Sequence, residues 1–465
     1  MKKLISTVCL LAILVAGCTN GGGLSQHFLK GQDLLQNFQY SAALEQFKLA
    51  VNDNPTDYQG YIQATDILIS KGQYQDALDL LLTGEKQVDQ KQFIYEHLGR
   101  VSLLLNKPDV ALGYYDQALA KDSKMRSAAI GKIRTLSVKE SVPDLQAFFQ
   151  QLDNSISDQE LLILQALAYV NQPQEGLRVL NEAKTMSNSR LSDLATELID
   201  DYNQLGSKDT QLFSLAKIAY VALSNGWYEE ALPMTTTMMS LNEFYDGGFT
   251  YRGIIMLKLY RSGDAISFLT KGVTLNPSDS TARIVLAHAY FITNDAAKAK
   301  DQLKQITDFT EETVVDMLSL LADNAEFETG KEIIAKFQQS DVRKVMNVEL
   351  AEIRIYIGLK DFTSAKVLAD TLLNSIDQFQ ANKQTEAYAY IGYVNFKTDK
   401  KSLGIEQIKK AESIDASFAL SFLYEGEFLI DQSQYEPAKQ VLQRAIDLDL
   451  QGNIAISAQK LLNQL

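Results

Sequence analysis

The stretch FQYSAAL at residues 38–44 recurs as GQYQDAL at residues 72–78, a spacing of 34. The same spacing separates Ala265 from Ala299, and Gly404 from Ala438. A fixed period of about 20 to 50 residues is the sequence signature of a repeat architecture, in which one supersecondary unit is copied and stacked. The sequence therefore predicts that most of this 465-residue chain consists of such units.

A period of 34 with a small residue, then an aromatic, then Ala in the second half resembles the tetratricopeptide repeat, a helical hairpin. Twelve frames fit, starting at residues 24, 58, 92, 126, 157, 212, 246, 280, 311, 346, 385 and 419. Position 8, where the family places a small residue because the two helices approach closely there, is small in seven frames: Gly31, Gly99, Ala219, Gly253, Ala287, Gly392 and Gly426. An aromatic recurs at the inter-helix turn as Tyr40, Tyr74, Tyr228, Phe362 and Tyr435.

The resemblance implies an all-α fold, a right-handed superhelical solenoid of about twelve hairpins with a capping helix over residues 453–465. The frames starting at 126 and 311 are degenerate. The long step between the frames at 157 and 212 holds an extra helical segment near Leu191 to Leu205. We expect this irregularity to divide the solenoid into halves at 24–205 and 206–465.

Residues 1–17 are predicted to be an export signal. Lys2 and Lys3 precede an apolar stretch over residues 4–17, which is too short to span a bilayer because a spanning helix needs about 20 residues. Val15-Ala16-Gly17-Cys18 resembles the bacterial lipobox. The resemblance implies cleavage before Cys18, lipidation of its sulfur and a tether over residues 18–23; the alternative is an uncleaved signal anchor with a chance cysteine.

Lipidation would place the protein on the extracytoplasmic face of a bacterial membrane. Two or more acyl chains give stable anchoring without a transmembrane helix. In a host with two membranes, Thr19 rather than Asp after the cysteine suggests the outer membrane facing the periplasm, by resemblance to other lipoproteins.

Composition excludes several classes of function. Lys and Arg number 44 against 58 Asp and Glu, a net charge of −14, so nucleic acid is not expected as a partner. With 3 His, and with Cys9 and Cys18 as the 2 Cys, neither a zinc cluster nor a disulfide framework is expected. No phosphate loop, nucleophile elbow or zinc-protease motif occurs. We therefore expect no cofactor and no enzymatic activity.

In the resembling family, the first helix of each hairpin lines a concave groove through positions 2, 5, 9, 12 and 13. Position 9 is polar, charged or amphipathic in eleven of the twelve frames, which is what a solvent-lined groove requires. The twelve residues are Gln32, Asp66, Arg100, Arg134, Gln165, Tyr220, Ile254, His288, Ser319, Arg354, Tyr393 and Glu427.

Candidate partner-binding residues come from these groove positions. Arg100 and Arg134 could form a basic site for a partner carboxylate; the alternative is that they pair with Glu96 and other nearby acids. Exposed aromatics often anchor peptides or sugars, whereas the alternative for them is packing between hairpins. The remaining candidates are Tyr220, His288, Phe291, Arg354, Tyr393 and Phe396.

The leading hypothesis is a membrane-tethered, non-enzymatic scaffold that holds an envelope protein or peptide in its groove, within an assembly or export system. The alternative is a surface protein that binds peptidoglycan or exopolysaccharide through groove aromatics. Exposed aromatic planes along one groove would favour the sugar, and an apolar pocket rimmed by Arg100 and Arg134 would favour the peptide. An enzyme is the third class, and no motif supports it.

The lipobox hypothesis predicts that Cys18→Ser leaves folding intact but releases the protein from membranes, because the lipidated sulfur is lost. Immunoblotting of membrane and soluble fractions measures this, with the unchanged chain as the control. Retention of the variant in the membrane fraction would contradict the hypothesis.

Overall fold

The computed structural model describes residues 25–152, 154–208, 210–338, 340–449 and 452–465. The predicted signal, Cys18 and the tether lie outside these residues. Every regular element in the described ranges is a helix, and no strand occurs there. None of these helices is long and apolar enough to cross a membrane. The predicted all-α class is confirmed.

Packing groups the helices into two compact units. The central unit comprises residues 55–69 and 73–307. Its helices are α3 (Tyr58–Ser70), α4 (Tyr74–Gln87), α5 (Lys91–Leu104), α6 (Pro108–Lys121), α7 (Arg126–Val138), α8 (Val142–Gln151), α9 (Gln159–Ala168), α10 (Pro173–Lys184), α11 (Ser189–Gln204), α12 (Gln211–Ser224), α13 (Tyr228–Leu241), α14 (Asp246–Lys258), α15 (Ser262–Leu275), α16 (Ser280–Ile292) and α17 (Ala296–Lys304).

The terminal unit comprises the described part of residues 1–54, together with residues 70–72 and 308–465. Its helices are α1 (Gln26–Gln36), α2 (Tyr40–Asp53), α18 (Glu311–Asp323), α19 (Phe327–Lys336), α20 (Met346–Gly358), α21 (Phe362–Leu373), α22 (Ala381–Lys397), α23 (Lys401–Ile414), α24 (Ala419–Asp431), α25 (Tyr435–Leu448) and α26 (Asn453–Leu462). The first hairpin belongs to this unit because α2 packs against α25. There, the Arg444 guanidinium lies 5.5 Å from the centre of the Phe38 ring.

The units do not divide the chain at residue 205, where the sequence suggested a boundary. One hydrophobic core in the central unit runs from Ala129 to Ala289 across that point. The extra helical segment is present as α11, which packs against both α10 and α12. It therefore continues the core instead of interrupting it.

The helices pair into twelve hairpins, as predicted. Each predicted frame starts within four residues of the first helix of a hairpin, from α1 at Gln26 to α24 at Ala419. We call the first helix of each hairpin its A helix and the second its B helix. The two helices outside this pairing are α11 and α26; the latter covers Leu423, Leu442 and Ala445 through Ala458 and is the predicted cap.

A left-handed residue at frame position 15 forms the turn in ten of the twelve hairpins. The residues, with φ between +53° and +80°, are Phe38, Gly72, Asn106, Glu140, Gly226, Tyr260, Asn294, Ala325, Lys360 and Ser433. In each case the N–H of the next residue donates to the carbonyl oxygen five residues before it, at 2.8–3.1 Å. This is the Schellman arrangement, which satisfies carbonyl groups left unpaired at the end of a helix. The same cap thus ends the A helix in ten hairpins.

Position 8 is the point of closest approach within a hairpin, as predicted. A Cβ atom added at Gly253 would lie 2.4 Å from Cγ of Leu269, and one at Gly426 would lie 2.5 Å from Cδ2 of Leu442. In α22–α23 the close contact is with backbone, because a Cβ atom at Gly392 would lie 2.8 Å from the carbonyl oxygen of Gly404. Backbone, unlike the end of a side chain, cannot move aside cheaply.

We predict that Gly392→Ala and Gly404→Ala each destabilise the protein by about 1–3 kcal/mol, because the added methyl group overpacks a backbone contact. The matched control is Gly113→Ala in α6, where an added Cβ atom meets nothing within 4 Å and should stabilise the helix by about 0.5–1 kcal/mol. Thermal unfolding followed by circular dichroism measures both. Equal midpoints for Gly392→Ala and Gly113→Ala would contradict the packing argument.

Candidate partner-binding face

Several position-9 residues pair with a neighbouring A helix. Nη1 of Arg100 on α5 donates to Oδ1 of Asp66 on α3 at 2.7 Å. Arg100 thus pairs with Asp66, one of the nearby acids that the pairing alternative allowed besides Glu96. In the terminal unit, Nη2 of Arg354 on α20 donates to Oδ1 of Asp323 on α18 at 2.6 Å. These arginines have acidic partners within the chain.

Arg134 faces a buried carboxylate instead of an open groove. Helix α13 packs against α7, and Nε of Arg134 lies 3.9 Å from Oε1 of Glu230, a residue that is only 4% exposed. Neither carboxylate oxygen of Glu230 accepts a hydrogen bond from the described residues. Burial raises the pKa of Glu230 to about 7; Glu229 adds to the rise, and Arg134 opposes it.

A second ion pair holds α13 and α14 against the α7–α8 turn. The Arg252 guanidinium pairs with the carboxylate of Glu140, the left-handed turn residue, and its Nη1 donates to Oγ1 of Thr236 at 2.7 Å. At the start of α13, Nε1 of Trp227 donates to Oε1 of Glu160 at 3.4 Å. The part of the predicted groove beside Arg134 is therefore covered by the chain itself.

Three of the predicted groove aromatics are buried between hairpins. Tyr393 is 9% exposed, stacks on Tyr424 at a centroid distance of 3.9 Å and donates from its hydroxyl to Oε2 of Glu427 at 3.0 Å. Phe396 packs edge-on against Phe428 at 5.4 Å, and Phe291 is buried too. These three aromatic side chains therefore pack within the protein and do not line an open groove.

The A helices α12, α14 and α16 present a different surface. Helix α14 packs against both α12 and α16, so positions 2, 6, 9 and 13 of their frames form three neighbouring stripes. We call these twelve residues the central face: Phe213, Lys217, Tyr220 and Ser224 on α12; Gly247, Tyr251, Ile254 and Lys258 on α14; Thr281, Val285, His288 and Ile292 on α16.

The stripe on α12 is the most exposed part of this face. Phe213 is 64% exposed and Tyr220 is 61% exposed; they lie two helical turns apart, about 10 Å along the axis. On the other side, Ile292 is 50% exposed. Burial raises the pKa of Tyr251 on α14, and Tyr245 and Tyr220 add to the rise. Large apolar side chains at this exposure are typical of an interaction surface.

Sequence reasoning located Tyr220 and His288 but missed Phe213. Tyr220 and His288 lie on the two A helices that flank α14, so the structure brings them onto one surface. Phe213 occupies position 2, which is also a groove position, and reading that position as well as position 9 would have found it.

The central face has no acidic residue among its twelve positions, although the chain carries 58 Asp and Glu. The equivalent sixteen positions of α18, α20, α22 and α24 carry six acids: Glu312, Asp316, Asp323, Glu386, Glu427 and Asp431. Lys217 on the central face pairs with Asp201 at 3.2 Å. Lys258 is half-buried, has no ion pair or hydrogen bond with the described residues, and burial lowers its pKa.

The terminal unit has a polar cleft of about 780 Å³ at the starts of α18, α20 and α22. Glu311, Glu312 and Asp316 line it, and Nδ2 of Asn347 donates to Oε1 of Glu311 at 2.7 Å. No cluster of three His, Cys, Asp or Glu residues that could hold a metal ion occurs in the described part of the chain. The cleft therefore offers polar contacts without a recognisable catalytic or metal centre.

Three features characterise the repeat: the period of 34, the close contact at position 8 and the contacts between A helices at position 9. The chain is a helical-repeat protein, and its hairpins are similar to tetratricopeptide repeats in these features. No protein-family model and no curated protein matches the chain.

Solved structures with low similarity include helical-repeat proteins. One is the Cut9–Hcn1 hetero-tetramer of the APC/C, at 13% identity over 95% of this chain and 96% of that chain, with a TM-score of 0.40. Yeast Tom70 matches at 13% identity over 94% of each chain, with a TM-score of 0.36. A tetratricopeptide repeat protein from Parabacteroides merdae ATCC 43184 matches at 13% identity over 66% of this chain and 97% of that chain, with a TM-score of 0.33.

Glu230 should make stability fall as the pH rises. Its folded pKa of about 7 lies above the ordinary value of 4.5, so its contribution is fully present below pH 4.5 and is lost as the pH rises through about 7. Glu352 and Glu412 also have pKa values raised to about 7, mainly by burial. We predict that Glu230→Gln lessens the loss of stability between pH 5 and pH 8 and stabilises the protein at pH 8 by about 1–3 kcal/mol.

Thermal unfolding at both pH values tests this prediction. Glu45→Gln, at an exposed position in α2, is the control and should leave the pH dependence unchanged. A Glu230→Gln variant whose unfolding midpoint follows that of the unchanged chain at both pH values would contradict the shift.

Proposed function

We propose that this protein is a lipid-anchored scaffold of the bacterial cell envelope that holds a segment of another protein on the central face. The observation that carries the proposal is the exposed aromatic and aliphatic surface of α12, α14 and α16. Stacked hairpins place equivalent positions of successive A helices side by side, and extended surfaces of this kind are used for binding in helical-repeat proteins.

The lipid anchor in this proposal rests on the sequence. Val15-Ala16-Gly17-Cys18 after a basic start and a short apolar run is the pattern of a lipidated export signal. The following residues, 19–23, include three consecutive glycines, which suit a flexible tether. A scaffold held in this way would meet its partner at the membrane surface, in an assembly or export system of the envelope.

A protein partner is favoured by the composition of the central face. Phe213, Tyr220 and Ile292 offer large apolar area, and burying about 100 Å² of such surface contributes roughly 2–3 kcal/mol before the costs of association. Aromatic anchors surrounded by smaller contacts are typical of the energetic centre of protein interfaces. Folding does not require these exposed apolar side chains, because the opposite sides of the three helices already form the hydrophobic core.

Glycan binding is the second candidate, and the exposure of Phe213 and Tyr220 favours it. Two aromatic rings about 10 Å apart along one helix could stack on two sugars of an envelope polysaccharide. The feature that would have favoured a peptide, an apolar pocket rimmed by Arg100 and Arg134, finds no support, because both arginines face acids of the chain; the protein-partner proposal therefore rests on the central face.

In-cell cross-linking of the tagged, full-length protein tests the scaffold role. We expect reproducible capture of one set of envelope proteins from the membrane fraction. The Cys18→Ser variant should lose this capture, because it would no longer be held at the membrane.

Capture of glycan alone would favour the second candidate. Failure to enrich any envelope protein above the Cys18→Ser control would contradict the scaffold proposal.

A further inference from the structure

We infer that the central face binds an acidic, apolar segment of a partner protein, with a partner carboxylate on the ammonium group of Lys258. This inference rests on the proposed scaffold function and names the chemistry of the partner. It can fail while the scaffold role stands.

The apolar part of the partner follows from the side chains of the face. Six of its twelve positions are aromatic or aliphatic: Phe213, Tyr220, Tyr251, Ile254, Val285 and Ile292. Positions 2 to 13 cover about 16 Å of each helix, and three neighbouring helices at about 8–10 Å spacing give a similar width. A segment of roughly ten to twelve residues with apolar anchors would cover this area.

The charge of the partner follows from the absence of acids on the face. Lys217 and Lys258 are its two permanent cations, and no carboxylate stands among its twelve positions. The basic side chains elsewhere on these A helices are satisfied within the chain: Arg252 pairs with Glu140, and Nε of Arg283 donates to the carbonyl oxygen of Pro277 at 2.9 Å. Lys217 already pairs with Asp201 at 3.2 Å, so a basic partner would be repelled chiefly by Lys258, which has no acid of the described residues beside it.

Lys258 is the most specific feature of the face. It lies one turn after Ile254 on the same side of α14, half-buried and without an ion pair or hydrogen bond to the described residues. Burial of an ammonium group costs free energy unless a counter-charge or acceptor is present. A partner carboxylate would supply that counter-charge where water is already partly excluded, so the ion pair would be stronger than one at an open surface.

A protein segment fits this face better than a glycan does. Sugar sites combine flat aromatic rings with several polar side chains that bind hydroxyl groups. Here Ile254, Val285 and Ile292 lie among the aromatics, and branched aliphatic side chains match Leu, Ile or Phe of a partner. Glycan binding is therefore the competing outcome of the test.

The first experiment uses two synthetic amphipathic peptides, each about five helical turns long, with Leu and Phe on one helical face. In one peptide the other face carries Glu, and in its twin every Glu is Lys. Isothermal titration with the purified full-length protein should give binding to the Glu peptide at least about tenfold tighter than to the Lys twin. Equal affinities, or tighter binding of the Lys twin, would overturn the inference.

Variants then assign the binding to the face. Phe213→Ala with Tyr220→Ala, and separately Lys258→Glu, should each weaken the Glu peptide about tenfold or more, and Lys258→Glu should in addition improve the Lys twin. The matched controls are Val367→Ala with Tyr435→Ala, which removes exposed apolar groups of the terminal unit, and Lys121→Glu. Lys121 also lies in the last turn of its helix, α6, so this control accounts for the effect of charge on a helix end.

Two outcomes would contradict the site. In one, the control variants lose as much affinity for the Glu peptide as the face variants do; in the other, the face variants keep the affinity of the unchanged chain. Circular dichroism of each variant verifies folding. Since Phe213 and Tyr220 are exposed, their removal should leave the unfolding midpoint unchanged.

A photo-crosslinking amino acid at Ser224, exposed on the α12 stripe, separates the two proposals in cells. The control position is Ser413, exposed on α23. Cross-linking at Ser224 to an acidic, apolar segment of an envelope protein supports the inference. A captured segment that is basic or lacks carboxylates overturns it and leaves the scaffold role, whereas capture of glycan or of no envelope protein at either position contradicts both.

Discussion

A left-handed residue at position 15 determines how ten of the twelve hairpins are built. It ends the A helix in a Schellman cap and turns the chain so that the B helix returns antiparallel to it. The return places position 8 against the B helix, where Gly253 leaves room for Leu269 and Gly426 leaves room for Leu442. Because the same cap recurs at the same frame position, the A helices of successive hairpins adopt one register. Where successive A helices pack together, their position-9 side chains can meet, as Asp66 and Arg100 do and as Tyr393 and Glu427 do.

With this register, the side chains at groove positions either pair with one another or stay available at the surface. Where acids and bases alternate between hairpins, the groove satisfies itself, as in the pairs Asp66–Arg100 and Asp323–Arg354. Where aromatics and aliphatics occupy the equivalent positions without acids, the surface stays available, as on α12 with Phe213 and Tyr220. Exposed ion pairs contribute little free energy, and Asp66–Arg100 is partly exposed, whereas the Arg354 side chain of the second pair is only 15% exposed. The contrast between the two kinds of position, more than the fold, is the reason for proposing the central face as a partner-binding site.

The period of 34 and the small residue at position 8 were readable from sequence because they recur at fixed offsets. The left-handed turn was not, since eight of the ten residues are not glycine and include Glu140 and Tyr260; the cap geometry, rather than residue type, imposes their conformation. The burial of Tyr393 depends on Tyr424 in the next hairpin. The covering of Arg134 depends on Glu230, which is distant in sequence, and no local pattern signals such a contact. Tyr220 was found because exposure there follows from the repeat register alone.

The overall charge and the charge of the central face act at different distances. At physiological ionic strength charges are screened beyond about 8 Å, so most of the net charge of −14 contributes little at the face once a partner is bound. A half-buried group such as Lys258 is screened less, and its interaction with a carboxylate persists at that ionic strength. Long-range repulsion would slow the approach of acidic segments in general. Only a segment with both apolar side chains for the aromatic anchors and a carboxylate for Lys258 would then stay bound. In the proposed complex, Phe213 and Tyr220 would supply affinity and charge would supply discrimination.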